Sequence, residues 1–510
     1  MPDEGGLHYR SGAGRWVIAA TVLGSGMSSV DATVVGIALP TIGREFHASV
    51  AQLQWVVNGY TLTLAALLLV GGSLGDHLGR RRVFIIGVIW FTIASLACAL
   101  APGATTLIFL RMLQGVGGAL LTPGSLAILQ ASFRQEDRGQ AIGAWTGLGG
   151  MAAATGPLIG GWLIAVASWR WIFFINLPLG LVVLLLSVRH IPESRDDSDP
   201  GRVDVPGALL VMTALAGITY GLIEGPALRW HDPGPVVALM VGALAAGLFV
   251  LVESRSARPL LPLGLFRRRQ FTVTNAVTFV VYGALGGVLF LLPVVLQVVG
   301  DYSPLASGVA LLPLTVMMLF LSSTSGRLAA RIGPRLQMSV GPVVVGCGLA
   351  LLSRVTVDSS YLTGVLPAVV VFGLGLVITV APLTFTAMAS VPVDHAGLAS
   401  AVNNDVARIG GLIAVAVLPA LSGITGSAYL HPGQLASGFR TATLIAGAWC
   451  VAGGVLAAVG IRNPETRLKS DLGTVEAPSE REFLHCGLDA PPAVVGEQTS
   501  PLAPAIRSDG

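Results

Sequence analysis

Apolar stretches long enough to cross a lipid bilayer recur along almost the whole chain, from Trp16 to Arg462. A helical span needs about 20 apolar residues, because the hydrocarbon core is roughly 30 Å thick and a helix rises about 1.5 Å per residue. Charge clusters and Gly/Pro turns divide these stretches into fourteen predicted spans. They cover residues 16–39, 55–74, 83–101, 105–128, 140–166, 171–188, 205–223, 235–252, 271–299, 306–325, 336–356, 364–390, 399–422 and 440–461.

The composition excludes soluble folds and nucleic-acid binding. Of the 510 residues, 53% are hydrophobic and only 11% are charged, against about 25% charged residues in an average soluble domain. The net charge is only +3, and the basic residues are scattered through short loops instead of forming one basic face, so we expect no nucleic-acid partner. The sequence therefore predicts an all-α membrane protein whose main surroundings are the lipid bilayer.

Arginines are concentrated in alternate loops, which predicts the orientation in the membrane. One set of loops carries clusters such as Arg80–Arg82 and Arg267–Arg269, whereas the opposite set carries few basic residues. Cytoplasmic loops are enriched in Arg and Lys, so we predict a multi-pass protein of the plasma membrane with both termini in the cytoplasm. The first apolar stretch is too long for a signal-peptide core and is predicted to be a retained helix.

An internal repeat predicts how the spans are grouped. The segment GSLGDHLGRRR (72–82), after the second span, matches GRLAARIGPRL (326–336), after the tenth. A displacement of eight spans predicts two six-helix bundles separated by an inserted pair of helices, and parallel halves of this kind bracket a central cavity in transporters. The predicted units are a cytoplasmic N-terminus (1–15), an N-terminal bundle (16–190), a cytoplasmic linker (191–204), the inserted pair (205–252), a cytoplasmic interfacial loop (253–270), a C-terminal bundle (271–461) and a disordered cytoplasmic tail (462–510).

Several motifs, in this order, carry a specific resemblance. They are DATVVGIALPTI, GSLGDHLGRRR, LIFLRMLQGVGGA, GPLIGG, WRWIFFINLPLG and ESRSARPLLPLGLFRRRQF. Together they resemble signatures of the fourteen-span drug:proton antiporter family of the major facilitator superfamily, and the likeness runs from Trp16 to Arg462. The resemblance implies the major facilitator fold and proton-coupled export of hydrophobic drugs by alternating access. It also implies that transport is driven by the proton gradient and needs no cofactor. Gly36 departs from the pattern, because this family usually has Asn there.

Asp31 is an acid within the first predicted span, and Arg111 is a base within the fourth. A carboxylate at the bilayer centre costs about 2.5 to 3.5 kcal/mol on insertion scales, so such a group is normally paired, hydrated or protonated. The predicted spans place both residues within eight positions of the outer end, so the two side chains can meet. An Asp whose distance from an Arg changes with conformation can bind and release a proton. We therefore predict a proton-coupling pair; the alternative is that Asp31 polarises the bundle without titrating.

The loop after the second span predicts a cytoplasmic gate. The resemblance implies a charge network that closes the inner side while the cavity faces outward, and glycines permit a tight turn and close helix approach. Ala330 stands in the second copy where the first has an acid. The alternative is a basic loop that only sets topology, which would leave that acid unexplained. The predicted gate residues are Gly72, Asp76, Gly79, Arg80 and Arg81.

The GPLIGG segment of the fifth span resembles the antiporter motif. Its residues are Gly156, Pro157, Gly160 and Gly161. The glycine spacing favours close helix packing, and the proline is expected to bend the span because it removes a backbone donor. The resemblance implies that the bend prevents leak and biases the direction of transport; the alternative is helix packing alone.

Other intramembrane polar residues are candidates for the substrate cavity. The candidates are Gln114, Asn176, Glu224, Asn403 and Asn404. The asparagines either line a cavity or bond between helices, which is the commoner role. The alternative for Glu224, at the outer end of the seventh span, is a position at the membrane interface. Asp31 and Glu224 together would suit a cationic substrate. Asp405 and Arg408 are three residues apart on one predicted helix, a spacing typical of a local ion pair.

Two other functions compete with drug export. A dedicated exporter of an endogenous metabolite or antibiotic would use the same machinery. The use of Arg over Lys, with Lys469 the single lysine, suggests a GC-rich genome and is compatible with self-resistance. A membrane enzyme would need a catalytic constellation, yet the eight His residues show no metal-ligand spacing and no nucleophile has a paired base. We therefore predict no enzyme activity and no metal. We also expect the transporter to work as a monomer on drug-like small molecules and protons.

Overall fold

The structure is a computed structural model that describes residues 6–195, 204–256, 261–356, 359–392 and 396–463. Most of the predicted linker, part of the interfacial loop and nearly all of the predicted tail lie outside the described residues. Within them the chain is helical, with one isolated β-bridge between Leu7 and Phe133. The α-helices are α1 (Gly12–Phe46), α2 (Val50–Leu78), α3 (Arg80–Ala99), α4 (Ala104–Ser132), α5 (Gln135–Val166), α6 (Trp171–Phe174), α7 (Asn176–His190), α8 (Val205–Ala227), α9 (Pro233–Arg255), α10 (Arg269–Val298), α11 (Pro304–Ala310), α12 (Leu312–Ile332), α13 (Pro334–Leu352), α14 (Leu366–Ala389), α15 (Ala396–Leu421) and α16 (Pro432–Gly460).

These helices provide fourteen segments long and apolar enough to cross a membrane. The pairs α6–α7 and α11–α12 each form one such segment. The predicted fold class and number of spans are therefore confirmed. The predicted ends are less accurate: α1 continues through Pro40 to Phe46, so Asp31 lies 15 residues, or about 22 Å, from the outer helix end instead of eight.

Local signals explain where several helices begin and end. The Ser11 hydroxyl accepts from the Gly14 amide at the start of α1, and Ser49 with Gln52 forms a capping box at the start of α2. The repeated loop ends α2 at Gly79 (φ 105°) and α12 at Gly333 (φ 83°). Positive φ at both positions favours glycine, so the sequence repeat is matched by a repeated turn.

The spans form two helical halves. In the N-half, α1–α7, α1 packs against α5 and α7, and α4 packs against α2 and α3. In the C-half, α10–α16, α10 packs against α15 and α16, and α13 packs against α14 and α16. Because the number of spans is even, the first span begins and the last span ends on the same face of the bundle. We call that face the inner face, after the orientation that the arginines predict.

The two halves meet at the outer end of the bundle. Between described residues, the hydrogen bonds that cross from one half to the other all involve the outer parts of α1, α2, α10 and α15 and the loops beside them. They are Gln54 Nε2 to Val415 O (2.6 Å) and Ala416 O (3.1 Å), Asn58 Nδ2 to Leu412 O (3.1 Å), Gln297 Nε2 to Ile37 O (2.9 Å), Tyr429 Oη to Ala48 O (2.8 Å) and Val50 N to Gly426 O (2.8 Å).

The inner ends of the two halves lie apart. A Cβ added at Gly139, Gly143 or Gly147, in the inner part of α5, would meet no atom within 4 Å, and the same holds for Gly397 at the inner end of α15. Closed outer contacts with open inner ends describe an inward-facing arrangement, with a space between the halves that opens toward the inner face.

The inserted helices α8 and α9 pack closely on each other through glycines. Gly217 and Gly221 of α8 lie against the α9 backbone at Ala238 and Pro235. On its other side α8 touches both α2 and α15, while α9 is largely exposed at its apolar surface. The inserted pair therefore lies over the seam between the two halves.

Candidate functional site

Asp31 of α1 and Arg111 of α4 form a buried ion pair in the N-half. Arg111 Nη1 donates to Asp31 Oδ2, and the two side chains are each only 1% exposed. They meet although their distances from the helix ends differ, because α1 extends further outward than α4 at this point. A buried pair needs further hydrogen bonds to offset the loss of hydration, and the surrounding residues provide them.

Two amides complete the coordination of the Asp31 carboxylate. Gln114 Nε2 donates to Asp31 Oδ1 at 2.8 Å, and Asn176 Nδ2 approaches the same oxygen at 3.3 Å. Both amides also donate to Ser95 Oγ, at 3.2 and 2.8 Å. Of the five predicted cavity candidates, the structure therefore brings Gln114 and Asn176 into the Asp31 network, where they bond between helices.

Arg111 is held on its other sides by α2 and by aromatic rings. Its Nε donates to Val56 O at 3.2 Å, and Nη1 also donates to Gln114 Oε1 at 2.6 Å. Its guanidinium carbon lies 4.4 Å from the centre of the Tyr60 ring, within cation–π range. The cation is thus tied to α2 as well as α1, so breaking the pair with Asp31 would free α1 to move against α2 and α4.

The ion pair lies next to the central cavity. Ala32 is exposed beside Asp31 on α1, the helix of the N-half that also contacts α10 of the C-half, so we assign this exposed face to the space between the halves. A Cβ at Gly36 would meet no atom within 4 Å. The space that an Asn would occupy there is open, and the Asp31 network forms without it.

The predicted gate residues lie at the junction of α2 and α3: Gly72 and Asp76 belong to the last two turns of α2, Gly79 separates the helices, and Arg80 and Arg81 begin α3. Arg80 donates from Nε to Asp76 Oδ1 at 2.9 Å, a pair within one helical turn that is partly exposed. Arg81 Nη2 donates to Val188 O at 2.7 Å, and the Arg81 amide donates to Glu193 Oε1 at 3.1 Å. In this conformation the turn is therefore bound to the end of α7 in its own half. A gating role stays a prediction.

The antiporter motif lies where α5 meets both α1 and the C-half. A Cβ at Gly160 would lie 3.2 Å from Val34 of α1, and one at Gly161 would lie 2.6 Å from Pro304 O of the C-half. Gly156 likewise leaves room for Thr33 of α1. These glycines thus allow close approach on both sides of α5.

Pro157 leaves a backbone carbonyl of α5 without its helical donor. A proline at position i lacks the N–H that would bond the carbonyl at i−4, which here belongs to Ala153. The Thr33 hydroxyl lies 3.1 Å from Ala153 O and also reaches carbonyls of its own helix. Thr33 can therefore supply the missing bond from within the same half.

The remaining cavity candidates lie elsewhere. Glu224 of α8 accepts from Trp55 Nε1 at 2.8 Å, at the contact between the inserted pair and α2. Asn403 Nδ2 donates to Thr278 Oγ1 (2.7 Å) and Asn275 Oδ1 (3.1 Å) inside the C-half. Asn404 is exposed and donates to Ser400 O of its own helix. The structure therefore does not bring these three to Asp31, and a role in substrate binding stays a prediction for each.

The predicted local ion pair of Asp405 and Arg408 is wrong. No contact within ion-pair distance joins them, and Asp405 Oδ1 is buried without a hydrogen-bond partner among the described residues. Arg408 nevertheless lies close enough to act electrostatically on Asp405, and also on Tyr60 of the opposite half. Spacing on one helix could not show this, because it places two residues on one face without fixing how their side chains are oriented.

Sequence reasoning missed several residues of the site. Ser95 is fully buried and joins both amides of the network, while Tyr60 lies under Arg111 and bonds Ser28 at 2.5 Å. Glu193 closes the gate turn. Their signal was weak, because a Ser or Tyr among apolar residues is common in membrane helices, and Glu193 follows the sixth span without motif context.

Comparison with known proteins gave three consistent results. The model of the Major Facilitator Superfamily matches residues 21–415. The chain is 36% identical over 416 residues to the multidrug resistance protein Stp of Mycobacterium tuberculosis, covering 81% of this chain and 77% of that protein. It is also 36% identical to the tetracenomycin C resistance and export protein of Streptomyces glaucescens, covering 79% and 75%. A solved bacterial homologue of the lysosomal transporter Spinster, inward-facing and occupied, shares the fold with a TM-score of 0.63 at 16% identity, covering 88% of this chain and 96% of that one.

Proposed function

Because the chain belongs to the Major Facilitator Superfamily, we propose that it is a proton-driven exporter of drug-like hydrophobic molecules that works by alternating access. Its relatives are resistance and export proteins rather than enzymes. The single observation that carries the proton-driven part is the Asp31–Arg111 pair, buried in the N-half beside the cavity.

The geometry supports a simple exchange cycle. In the inward-facing state Asp31 accepts bonds from Arg111, Gln114 and Asn176, as expected for a carboxylate that has released its proton to the cytoplasm. Substrate then binds in the cavity and the halves close inside and open outside. There Asp31 takes a proton, its bond to Arg111 breaks, and substrate leaves. Return of the protonated carrier completes the exchange.

One titrating acid is energetically sufficient. Moving one charge through 100 mV is worth about 2.3 kcal/mol, and a tenfold concentration ratio costs about 1.4 kcal/mol. For an uncharged substrate, a single proton could therefore sustain roughly a 50-fold gradient per 100 mV; for a monovalent cation exchanged one for one, the pH gradient alone supplies the energy. Asp31 is the one acid of the N-half that is fully buried in the membrane region among the described residues, which makes it the natural carrier of that proton.

The membrane arrangement follows the same proposal. We propose insertion in the plasma membrane with both termini in the cytoplasm, which the placement of the arginines supports. The ion-pair network and the outer contacts are complete within one chain, and this supports a transporter that works as a monomer.

A dedicated exporter is the second candidate. The relative from Streptomyces glaucescens is named for resistance to and export of a single antibiotic, tetracenomycin C. At the same 36% identity, the relative from Mycobacterium tuberculosis is named for multidrug resistance. The two similarities are equal, so they favour the same machinery with either a broad or a narrow substrate range.

Ethidium efflux from energised whole cells tests the proposal. Wild-type protein should lower cell-associated ethidium relative to cells with the empty vector, and a protonophore should abolish that difference. Asp31→Asn, at matched membrane abundance, should behave like wild type with protonophore. Efflux that survives both treatments would remove proton coupling from the account. Absent ethidium efflux together with tetracenomycin C resistance would favour the dedicated exporter.

A further inference from the structure

A proline near the outer end of α15 exposes a backbone carbonyl at the seam between the halves. Pro419 lies inside α15 and has no N–H, so the carbonyl four residues earlier, that of Val415, lacks its helical donor. Val415 is 4% exposed. A buried carbonyl without a donor is costly, so another group is expected to bond it.

Gln54 of the opposite half supplies that bond. Its Nε2 lies 2.6 Å from Val415 O and 3.1 Å from Ala416 O, and the side chain is only 4% exposed. The amide of Gln54 thus takes the place of the N–H that Pro419 lacks. The two residues are far apart in sequence and belong to different halves.

The same device occurs inside the N-half with a different consequence. The Thr33 hydroxyl lies 3.1 Å from Ala153 O, the carbonyl freed by Pro157. Because α1 and α5 belong to one half, that bond can persist when the halves move against each other. The Gln54 bond joins α2 to α15, so it must break whenever the outer ends separate.

We propose that Gln54 and Pro419 together form the latch of the outer gate. Pro419 makes the Val415 carbonyl available, and Gln54 binds it only when the outer end is closed. When that end opens, water reaches the carbonyl and replaces the amide. The strength of the latch therefore sets the balance between the inward-facing and outward-facing states. This inference rests on alternating access, but it requires neither proton coupling nor any particular substrate.

Asn58 provides a matched control on the same helix. Its Nδ2 donates to Leu412 O at 3.1 Å, one turn further in. The residue four positions after Leu412 is Ala416, which keeps its N–H. Removing the Asn58 amide should therefore weaken the outer contact independently of Pro419, whereas the effect of removing Gln54 should depend on it.

The test is a double-mutant cycle with outside labelling as the readout. A cysteine at the cavity position Ala32 (Ala32→Cys) is labelled with a membrane-impermeant maleimide added outside right-side-out vesicles. The labelling rate then reports how often the outer gate opens. Rates are corrected with protein that lacks the new cysteine, because Cys98 and Cys450 are buried and Cys347 is exposed.

We expect Gln54→Leu to raise the labelling rate about 10-fold, because an unpaired buried carbonyl weakens the closed state. In a Pro419→Ala background the new N–H bonds Val415, so Gln54→Leu should raise the rate less than about 3-fold. Asn58→Leu should have the same effect in both backgrounds. Gln54→Met, which keeps the length of the side chain, should repeat the Gln54→Leu result and covers the case in which the Leu variant folds poorly.

Equal effects of Gln54→Leu in both backgrounds, or no effect in either, would overturn the latch. Simple loss of packing predicts equal effects, because it does not depend on the N–H of residue 419. Failure of the proposed function looks different: ethidium efflux would be absent or insensitive to protonophore while the labelling cycle still showed coupling between Gln54 and Pro419.

Discussion

The two halves of this transporter share a helix arrangement and differ in their buried polar chemistry. Both repeat the turn with a positive-φ glycine, at Gly79 and Gly333. In the N-half the buried polar cluster contains an ion pair, Asp31 with Arg111. In the C-half the buried cluster around Asn403 is made of amides and hydroxyls. The buried ion pair is thus found in the N-half, whereas in the C-half Asp405 and Arg408 of α15 form no ion pair with each other.

The turns of the repeat show the same difference. The first copy carries the Asp76–Arg80 pair, whereas the second has Ala330 at the equivalent position and Arg335 donates to Ala458 O of its own half at 2.9 Å. The comparison teaches that fold symmetry and functional symmetry are separate. Both halves share one scaffold, while the buried ion pair occurs in the N-half.

The largest expected effect distinguishes the intramembrane arginines of the two halves. Arg111→Gln leaves the Asp31 carboxylate buried without its cation, and breaking one side of such a pair costs about 3 to 5 kcal/mol. We expect a large drop in thermal unfolding temperature in detergent and loss of ethidium efflux. Arg408→Gln, at a half-buried position where the described part of the chain provides no ion-pair partner, should change stability by less than about 1 kcal/mol. Equal losses of unfolding temperature and efflux in the two variants would contradict the difference between the halves.

A medium effect is expected for the matched asparagines. Asn176→Leu removes a donor to Asp31 and to Ser95, so proton-driven efflux should fall about 10-fold, as expected for one lost hydrogen bond to a charged group. Asn403→Leu removes bonds only among neutral groups of the C-half. It should lower the unfolding temperature without changing the dependence of efflux on external pH.

Measuring the efflux rate against external pH separates these two roles. A changed pH profile in Asn403→Leu, with an unchanged profile in Asn176→Leu, would reverse the roles assigned to the halves.

The smallest effect is expected at the repeated turns. The Asp76–Arg80 pair is partly exposed and within one helical turn, so it is worth only about 0.3 to 0.5 kcal/mol in the inward-facing state. Asp76→Asn should leave the unfolding temperature nearly unchanged and lower efflux a few-fold if the acid engages the other half in the outward-facing state. Ala330→Asp, the reciprocal change, should not restore efflux to Asp76→Asn. Restoration would show that the turns are interchangeable.

Much of the fold could be predicted from the sequence, because membrane burial imposes strong rules. Spans must be long and apolar, and charges inside the membrane must find partners, which led directly to fourteen spans and to the meeting of Asp31 with Arg111. The predicted end of the first span was wrong, because α1 continues past Pro40 and beyond the apolar stretch.

Contacts with backbone atoms could not be predicted. Gln54 reaches a carbonyl 361 positions away, and no side-chain pattern marks which carbonyl a proline in another helix has freed. The lack of an ion pair between Asp405 and Arg408 in the described structure was equally hidden. Spacing within one helix shows which residues share a face, but which face meets the opposite half depends on how the two halves pack.

The most direct test of the central claim is ethidium transport driven by an imposed pH gradient in proteoliposomes, comparing wild type with Asp31→Asn. The wild type should concentrate ethidium against its gradient and move protons in the opposite direction. Asp31→Asn should still exchange labelled for unlabelled ethidium without a gradient, yet fail to concentrate it when the gradient is applied. Concentration of ethidium by Asp31→Asn at the wild-type rate would contradict the account, because the proton would then be carried elsewhere in the molecule.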